Sequence, residues 1–327
     1  MNVDSSKRRH SMTGVNNIGM ENQKKIRALV ISGGGSKGAF AGGLAAQLLQ
    51  RNDYQVFVGT SAGSLLIPLL ALGEVERLKN VFTNIRQRDI FNICPFILKW
   101  RHGEYTYRIN HFNTVRMFLR GKKTFGESEN LRRLIHQTFT QKDYQRLRAS
   151  NKDVVVTVSN LSCYQVEYKS VHDCSYEDFC DWMWISANIV PFMSLVKKNG
   201  MEYADGGLGN YLPLQEAIRR GACTIDAIIL KPKENMLNCY LPVTNAFSLL
   251  SRAFDFMLQQ ISFDDLALGH LESMHRRVEL FCYHTPRLLT ENSFIFNPDQ
   301  MAAWWQEGKE YYLTAGPTCH AIEQPIN

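Results

Sequence analysis

Short apolar runs alternate with stretches rich in alanine and leucine in the first part of the chain. An apolar run over 26–32 ends at three glycines and is typical of a buried strand, and 55–60 is a second such run. The stretches 38–50 and 62–72 predict helices, the second of them kinked at Pro68. Strand–helix–strand–helix in so short a span predicts an α/β fold with a parallel sheet and crossover helices.

The rest of the chain continues this alternation. Residues 153–160 form a β-branched run that predicts a strand, with 163–170 as its hairpin partner. Residues 88–125 combine several aromatic side chains with many charges, and we interpret them as an insertion or lid. Further strands are predicted at 201–204, 224–230 and, as the last one, 278–283. Helices are predicted at 130–140, 175–186, 212–220, 244–260, 262–276 and 299–313.

Composition places the chain among ordinary soluble globular proteins. Of its 327 residues, 45% are apolar and 21% are charged. The net charge of +6 mildly favours anionic partners such as a phospholipid surface or nucleic acid, although an ordinary solvated surface explains such a charge more often. The eight cysteines include no CxxC pair, which argues against a zinc site and predicts reduced thiols in a cytosolic protein.

The termini and the apolar runs set the expected domain organisation. Residues 1–24 are polar and lack an apolar signal region, so we expect a flexible tail outside the fold. The longest apolar run, 65–72, is far shorter than the roughly 18 residues that span a bilayer. We expect a cytoplasmic protein, peripheral if it touches a membrane. Its core should cover 25–230, and a mostly helical C-terminal part, 231–327, should pack on that core.

The junction between the second strand and the second helix carries the first candidate for chemistry. It matches G-x-S-x-G as Gly59-Thr60-Ser61-Ala62-Gly63. In this motif a tight strand-to-helix turn projects the serine hydroxyl above the sheet, and the glycines permit close approach of helix and strand. The pentapeptide alone is common by chance, but its position between a strand and an apolar helix favours a functional role for Ser61.

A second glycine-rich turn also joins a strand to a helix. It fits G-x-G-x-x-G, but the acidic residue of a dinucleotide site belongs at the end of the next strand, and Asp53 precedes that strand. A P-loop is disfavoured because no Ser or Thr follows the lysine. What remains is a run of unhindered backbone N–H groups that suits an oxyanion hole for acyl transfer. Its residues are Gly33, Gly34, Gly35, Ser36, Lys37 and Gly38.

A serine nucleophile needs a base, and two candidates stay open on residue patterns alone. Among the nine histidines, His284 comes closest to the place after a late strand where a triad histidine is expected, but a lone histidine is more often a surface or satisfied core residue. Asp205 follows a short predicted strand, and Gly206 and Gly207 after it permit a close approach to another loop. Taken alone, this tripeptide is more often an ordinary turn.

Three elements occur together in a fixed order: "SGGGSKG" at 32–38, "GTSAG" at 59–63 and "DGG" at 205–207. Their combination resembles the patatin-like phospholipase family, and the similarity covers about residues 26–230. "WISANIVPF" at 184–192 resembles the small-residue segment that precedes the catalytic aspartate in that family. The chain departs from the family in "NIVPFMSLV", where relatives often carry a Phe-Pro pair, and 231–327 carries no matching motif.

The resemblance implies a three-layer α/β/α sandwich and a Ser–Asp dyad without histidine. Ser61 would attack an ester carbonyl, Asp205 would accept its proton and later activate water, and N–H groups around Gly34, Gly35 and Ser36 would hold the oxyanion. Lys37 takes the family's usual Arg or Lys position and would help to place the loop. The reaction would pass through an acyl-enzyme and would need no metal or cofactor.

Other readings are a binding protein that kept the fold and lost catalysis, a nicotinamide- or flavin-binding protein that uses the 33–38 loop, and a histidine-containing α/β-hydrolase. The expected partner is a lipid substrate, not nucleic acid. A cluster of basic residues predicts weak, salt-sensitive contact with an anionic membrane surface, although such clusters are usually only solvated. These residues are Arg116, Arg120, Lys122, Lys123, Arg132 and Arg133. "AAWW" at 302–305 is expected to pack in the core.

Overall fold

The computed structural model describes residues 25–101, 104–233, 243, 246–317 and 319–321, so the predicted tail 1–24 lies outside the described residues. The strands are β1 (Arg27–Ile31), β2 (Val56–Thr60), β3 (Phe96–Arg101), β4 (Glu104–Ile109), β5 (Asp153–Asn160), β6 (Gln165–Ser170), β7 (Val196–Lys198), β8 (Met201–Asp205), β9 (Thr224–Ile229), β10 (Glu279–His284) and β11 (Cys319–Ala321). The α-helices are α1 (Gly38–Arg51), α2 (Ala62–Ala71), α3 (Val75–Asn84), α4 (Gln87–Ile90), α5 (His111–Leu119), α6 (Glu129–Thr138), α7 (Gln141–Arg148), α8 (Tyr176–Ser186), α9 (Leu214–Arg219), α10 (Ala246–Arg276) and α11 (Pro298–Thr314).

A mostly parallel sheet forms the centre of the molecule. Its strand order is β11-β10-β9-β1-β2-β5-β8-β7, with β6 beside β5. The strands from β10 to β5 in this order are mutually parallel, and antiparallel strands flank them at both ends. Parallel neighbours need crossover connections, and the helices between them serve that purpose.

Helices cover both faces of the sheet. Leu29 and Ile31 of β1 belong to one core cluster, which also includes side chains of α1, α2, α8 and α11. Ala28 and Val30 point the opposite way and join a second cluster with side chains of α9, since successive residues of a strand face opposite sides. This is the three-layer α/β/α sandwich that the sequence predicts.

Two strands meet end to end along one edge of β5. β2 runs parallel to β5 up to the pair Thr60–Thr157, and β8 runs antiparallel to β5 up to the pair Asp205–Val158. β6 pairs with residues 155–160 of β5 and therefore occupies the opposite edge. Consequently, the residue that follows β2 and the residue that ends β8 come together although they are distant in sequence.

Among the described residues, the C-terminal part consists mostly of α10 and α11 and also contributes two strands to the central sheet. β10 pairs in parallel with β9, and β11 adds a further strand, so residues after 230 extend the central sheet. The two helices predicted at 244–260 and 262–276 are one helix, α10, because no Gly or Pro interrupts the chain around Ile261. The predicted lid at 88–125 contains the β3–β4 hairpin and α5. Trp304 and Trp305 are buried in the core, as expected.

Candidate active site

Ser61 stands on a strained elbow between β2 and α2. Its φ of 54° and ψ of −120° are unusual for a residue with a side chain, which is typical of a nucleophile elbow. A Cβ added to Gly63 would lie 2.2 Å from the carbonyl oxygen of Ile31, and one added to Gly59 would lie 2.6 Å from the carbonyl carbon of Gly63. The two motif glycines therefore allow the helix to approach the strands closely enough to form the turn.

Asp205 ends β8 directly opposite this elbow. Its side chain is buried and forms a hydrogen bond with the side chain of Ser61. The carboxylate also accepts a hydrogen bond from the N–H of Gly207 at 2.7 Å. Burial raises the pKa of Asp205 to about 7, although both hydrogen bonds act to lower it. A carboxylate with such a pKa can take up and release a proton near neutral pH.

One short segment holds both residues in place. The hydroxyl of Ser186, at the end of α8, accepts a hydrogen bond from the N–H of Ser61 at 2.9 Å. Two residues later, the carbonyl of Asn188 accepts one from the N–H of Asp205 at 2.8 Å. This segment lies within "WISANIVPF", so its similarity to the family coincides with a positioning role that the residue types alone do not reveal.

In the glycine loop, several N–H groups already have partners. The N–H of Gly33 donates to Tyr211 O, that of Ser36 to Ser293 O at 2.9 Å, and that of Lys37 to Gly34 O. The N–H of Gly38 donates to carbonyls of the same loop. The expectation that Ser36 is an oxyanion donor therefore has no support in this geometry, since its N–H is engaged.

Two N–H groups of the loop remain available. Within the described part of the chain, the N–H groups of Gly34 and Gly35 have no hydrogen-bond partner. Gly35 has a φ of +56°, and a Cβ there would lie 2.3 Å from Ser293 O, so this position requires glycine. The N–H of Ala62, the first residue of α2, is also among those that a helix start leaves without an intrahelical partner.

A cavity of about 170 Å³ opens at the Ser61–Asp205 pair. Its wall near the pair is polar and includes Gly34, Gly35 and Lys37, whereas most of the remaining wall is apolar. The segment "NIVPFMSLV", where the chain departs from the family pattern, contributes Ile189 and Phe192. Other apolar lining residues include Leu65, Leu69, Val81, Leu134 and Met183. Such a cavity can accommodate a hydrocarbon chain with its ester end at Ser61.

The rival residues lie elsewhere. His284 ends β10, three strands from β2, so about three spacings of 4.8 Å, or roughly 14 Å, separate it from Ser61. It is buried, one of its ring nitrogens lies 3.3 Å from the carbonyl of Lys231, and burial lowers its pKa. Asp53 precedes β2, at the opposite end of the sheet from the 33–38 loop. Neither residue lines the cavity.

The described ranges contain no cluster of three His, Cys, Asp or Glu side chains that could hold a metal ion. Across the same ranges, every helix is too short or too polar to cross a bilayer.

The profile of the patatin-like phospholipase family matches residues 29–218, a span that includes Ser61, Asp205 and most of the central sheet. The chain belongs to the patatin-like phospholipase family. The profile ends before β9, so the C-terminal strands and α10 lie outside the shared part.

Two individual proteins are similar to this patatin-like chain. YjjU, an uncharacterised protein of Escherichia coli (strain K12), is 26% identical over 216 residues, which are 63% of this chain and 52% of that protein. The chain thus spans about half the length of this curated relative. A crystal structure of VipD from Legionella pneumophila aligns with 88% of this chain and 66% of that chain, at 12% identity and a TM-score of 0.46.

Proposed function

We propose that this protein hydrolyses carboxylic esters of phospholipids or related lipids, as a phospholipase A or lysophospholipase, with Ser61 as nucleophile and Asp205 as base. One observation carries the proposal: a strained serine is hydrogen-bonded to a buried carboxylate at the polar end of an otherwise apolar cavity. A catalytically silent relative has no need to hold a serine in a strained conformation, because that strain costs on the order of 1–3 kcal/mol.

In the first half of the reaction, Asp205 takes the hydroxyl proton of Ser61 while the serine oxygen attacks the ester carbonyl carbon. The negative charge moves to the carbonyl oxygen, and the available N–H groups of Gly34 and Gly35 stabilise it. The carbon–oxygen bond to the leaving alcohol then breaks, and this alcohol takes the proton from Asp205. The acyl group remains on Ser61 as an ester.

In the second half, water replaces the alcohol. Asp205 takes a proton from this water, whose oxygen attacks the acyl carbon, and the same N–H groups stabilise the second oxyanion. The bond to Ser61 breaks, the serine oxygen regains its proton from Asp205, and a fatty acid leaves. The pKa of about 7 suits Asp205 to both roles, because it must bind and release a proton in each half.

The test combines covalent labelling with turnover. A fluorophosphonate should label the wild-type protein and leave Ser61→Ala unlabelled, and the wild type alone should release fatty acid from a mixed lipid panel. Asp205→Asn should lose turnover by about 10²–10⁴-fold, the typical contribution of general acid–base catalysis. His284→Ala is the matched control and should keep both activities. Labelling of Ser61→Ala, or loss of activity only in His284→Ala, would refute the dyad.

We further propose that the enzyme is cytoplasmic and touches an anionic membrane surface through α5. This helix exposes Phe112 and Leu119, which are 77% and 83% accessible, beside Arg116 and Arg120. These two arginines form no ion pair within the described residues, whereas Lys122, Lys123 and Arg132 pair with Glu127, Glu202 and Asp181. An apolar face flanked by unpaired cations suits the interface of an anionic bilayer.

Aromatic contacts connect this helix to the cavity. The ring of Phe118 on α5 lies 6.0 Å from that of Phe125, which lies 6.0 Å from that of Phe192 in the cavity wall.

Flotation with phosphatidylglycerol vesicles should decrease as salt rises and should be lost in a Phe112→Ser, Leu119→Ser double variant. Tyr164→Ser, at another exposed aromatic residue, is the matched control. Flotation that is equal at all salt concentrations contradicts this membrane contact.

A further inference from the structure

Lys231 carries a buried amino group that the mechanism above does not use. It follows β9 at the carboxyl edge of the sheet, is only 9% exposed and lines the same cavity as Ser61. Its amino nitrogen lies over the ring of Tyr211, 4.3 Å from the ring centroid. Among the described residues this nitrogen has no hydrogen-bond partner. Burial without a paired anion favours the neutral amine at this position, so a ligand that supplies an anion would favour protonation of Lys231 and form an ion pair with it.

Contacts place this amino group close to the reacting atoms. A Cβ added to Gly33 would lie 3.0 Å from the ring of Tyr211 and 3.4 Å from the Cβ of Ser61. A Cβ added to Gly34 would lie 2.4 Å from the side chain of Leu230, the residue before Lys231. The amino group therefore lies one aromatic ring away from the glycine loop that borders the nucleophile.

Lys37 contributes a second buried amino group to this end of the cavity. It is also 9% exposed, and within the described chain it forms no ion pair. The two lysines lie close enough to affect each other: burial first, and then the charge of Lys37, lower the pKa of Lys231 to about 6. Burial lowers the pKa of Lys37 to about 8.

The acidic groups nearby do not neutralise both lysines. Asp255 of α10 faces them, and burial raises its pKa to about 6, because the buried site disfavours the charged form of this carboxyl group. Asp265 accepts hydrogen bonds from the N–H groups of Tyr211 and Leu212, at 2.6 and 2.9 Å. Glu291 lines the cavity but is exposed to solvent. The pocket can therefore hold a further negative charge.

We propose that Lys231, together with Lys37, binds the phosphodiester group of a glycerophospholipid and so selects phospholipids over neutral glycerides. The inference rests on the proposed function, because it assumes that the ester of the same lipid lies at Ser61. The oxygens of a carboxylic ester are uncharged. A glycerophospholipid also carries a phosphodiester, which is permanently anionic and lies a few bonds from its esters. Lys37 carries its charge near neutral pH, and a phosphodiester bound beside Lys231 raises the pKa of that amine, so both lysines can be ammonium groups when the lipid is bound.

Substrate selectivity tests the assignment. The kcat/KM ratio of dihexanoylphosphatidylcholine to dihexanoylglycerol, which have the same acyl chains, should fall about tenfold or more in Lys231→Met. Methionine keeps an unbranched stem on Tyr211 and removes the amino group. Lys142→Met, on the exposed face of α7, is the matched control and should keep the wild-type ratio. An equal loss on both substrates, or an unchanged ratio, overturns the proposal.

Binding to the Ser61→Ala protein separates this inference from the proposed function, because no turnover is needed. By calorimetry, dihexanoylphosphatidylcholine should bind more tightly than dihexanoylglycerol, and adding Lys231→Met should remove the difference. Inorganic phosphate distinguishes the source of the anion: displacement of phosphate by the phospholipid supports a lipid headgroup site. Binding of phosphate that the phospholipid cannot displace overturns it. If Ser61→Ala still hydrolyses lipid, the dyad fails while the binding preference remains measurable.

Discussion

Replacing Asp205 by asparagine should make the protein more stable at alkaline pH while it abolishes hydrolysis. Asparagine has the same shape and keeps an oxygen that can accept the hydrogen bond from the N–H of Gly207, but it never ionises. In the wild type, the carboxylate must carry its charge at a site where it is only 3% exposed. The variant therefore reports the free energy that the native state loses by ionising Asp205.

The pKa gives the size of this effect. Burial raises it from 3.8 to about 7, so between these values the unfolded chain ionises and the native state does not. The group's contribution to stability is fully present below the lower value and is lost as pH rises to the upper one. The shift of 7 − 3.8, or about 3 units, corresponds to about 4 kcal/mol at about 1.36 kcal/mol per unit. Above about pH 5, about 2 units of this pKa shift still act, so the wild type has about 3 kcal/mol of stability left to lose through ionisation of Asp205.

Urea unfolding of both proteins at a series of pH values measures this difference. The stability of Asp205→Asn relative to the wild type should rise by about 3 kcal/mol from about pH 5 to about pH 8 and then level off. Other titrating groups are common to both proteins and largely cancel. Ser61→Ala keeps the carboxylate of Asp205 but removes a hydrogen bond that lowers the pKa of this group. The stability of this variant should therefore continue to decline to a higher pH than that of the wild type. A difference that stays constant across pH refutes the argument.

Three other predictions concern different parts of the molecule. The kcat of lipid hydrolysis should fall about tenfold per pH unit below about pH 7, because Asp205 must be ionised to act as base. A rate that is level from about pH 5 to about pH 7 would contradict this. Gly63→Ala should lower the free energy of unfolding by about 1–3 kcal/mol in urea, because its Cβ would meet Ile31 O at 2.2 Å. Tyr54→Phe should cost about 1–3 kcal/mol, since the fully buried Asp226 accepts a 2.8 Å hydrogen bond from Tyr54. Unchanged stability would mean that Arg27 and Tyr283 satisfy that carboxylate without Tyr54.

Much of the sheet is predictable because its strands are short, β-branched and bounded by turn residues. The predicted strand at 153–160 coincides with β5, and the turn residues around Ser61 mark both the end of β2 and the start of α2. Neither α3 nor α7 is predicted, although Leu78 and Phe82 of α3 stand four residues apart and give an amphipathic signal. β11 has only three residues, too few for a pattern, and its place is set by pairing with β10.

The candidate site likewise has residues that the sequence predicts and residues that only the structure reveals. Ser61 and the glycine loop stand in motifs at strand-to-helix turns, and the resemblance to the patatin-like family adds Asp205, so the sequence suffices to nominate them as candidates. Lys231 and Tyr211 stand in no motif, and their meeting depends on how β9 and the loop after β8 are arranged in space. Which N–H groups of the loop are available also depends on Ser293, a residue of a distant loop that engages Ser36. Such information is absent from any local stretch of chain.

The end-to-end meeting of β2 and β8 on one edge of β5 has a consequence for synthesis of the protein. The hydroxyl group leaves the ribosome 144 residues before its carboxylate partner, by the numbering of Ser61 and Asp205. Under the proposed mechanism, a nascent chain that emerges beside a membrane cannot attack lipids until β5 has aligned both neighbours. Under that mechanism, the central sheet must therefore assemble before the protein can hydrolyse any lipid.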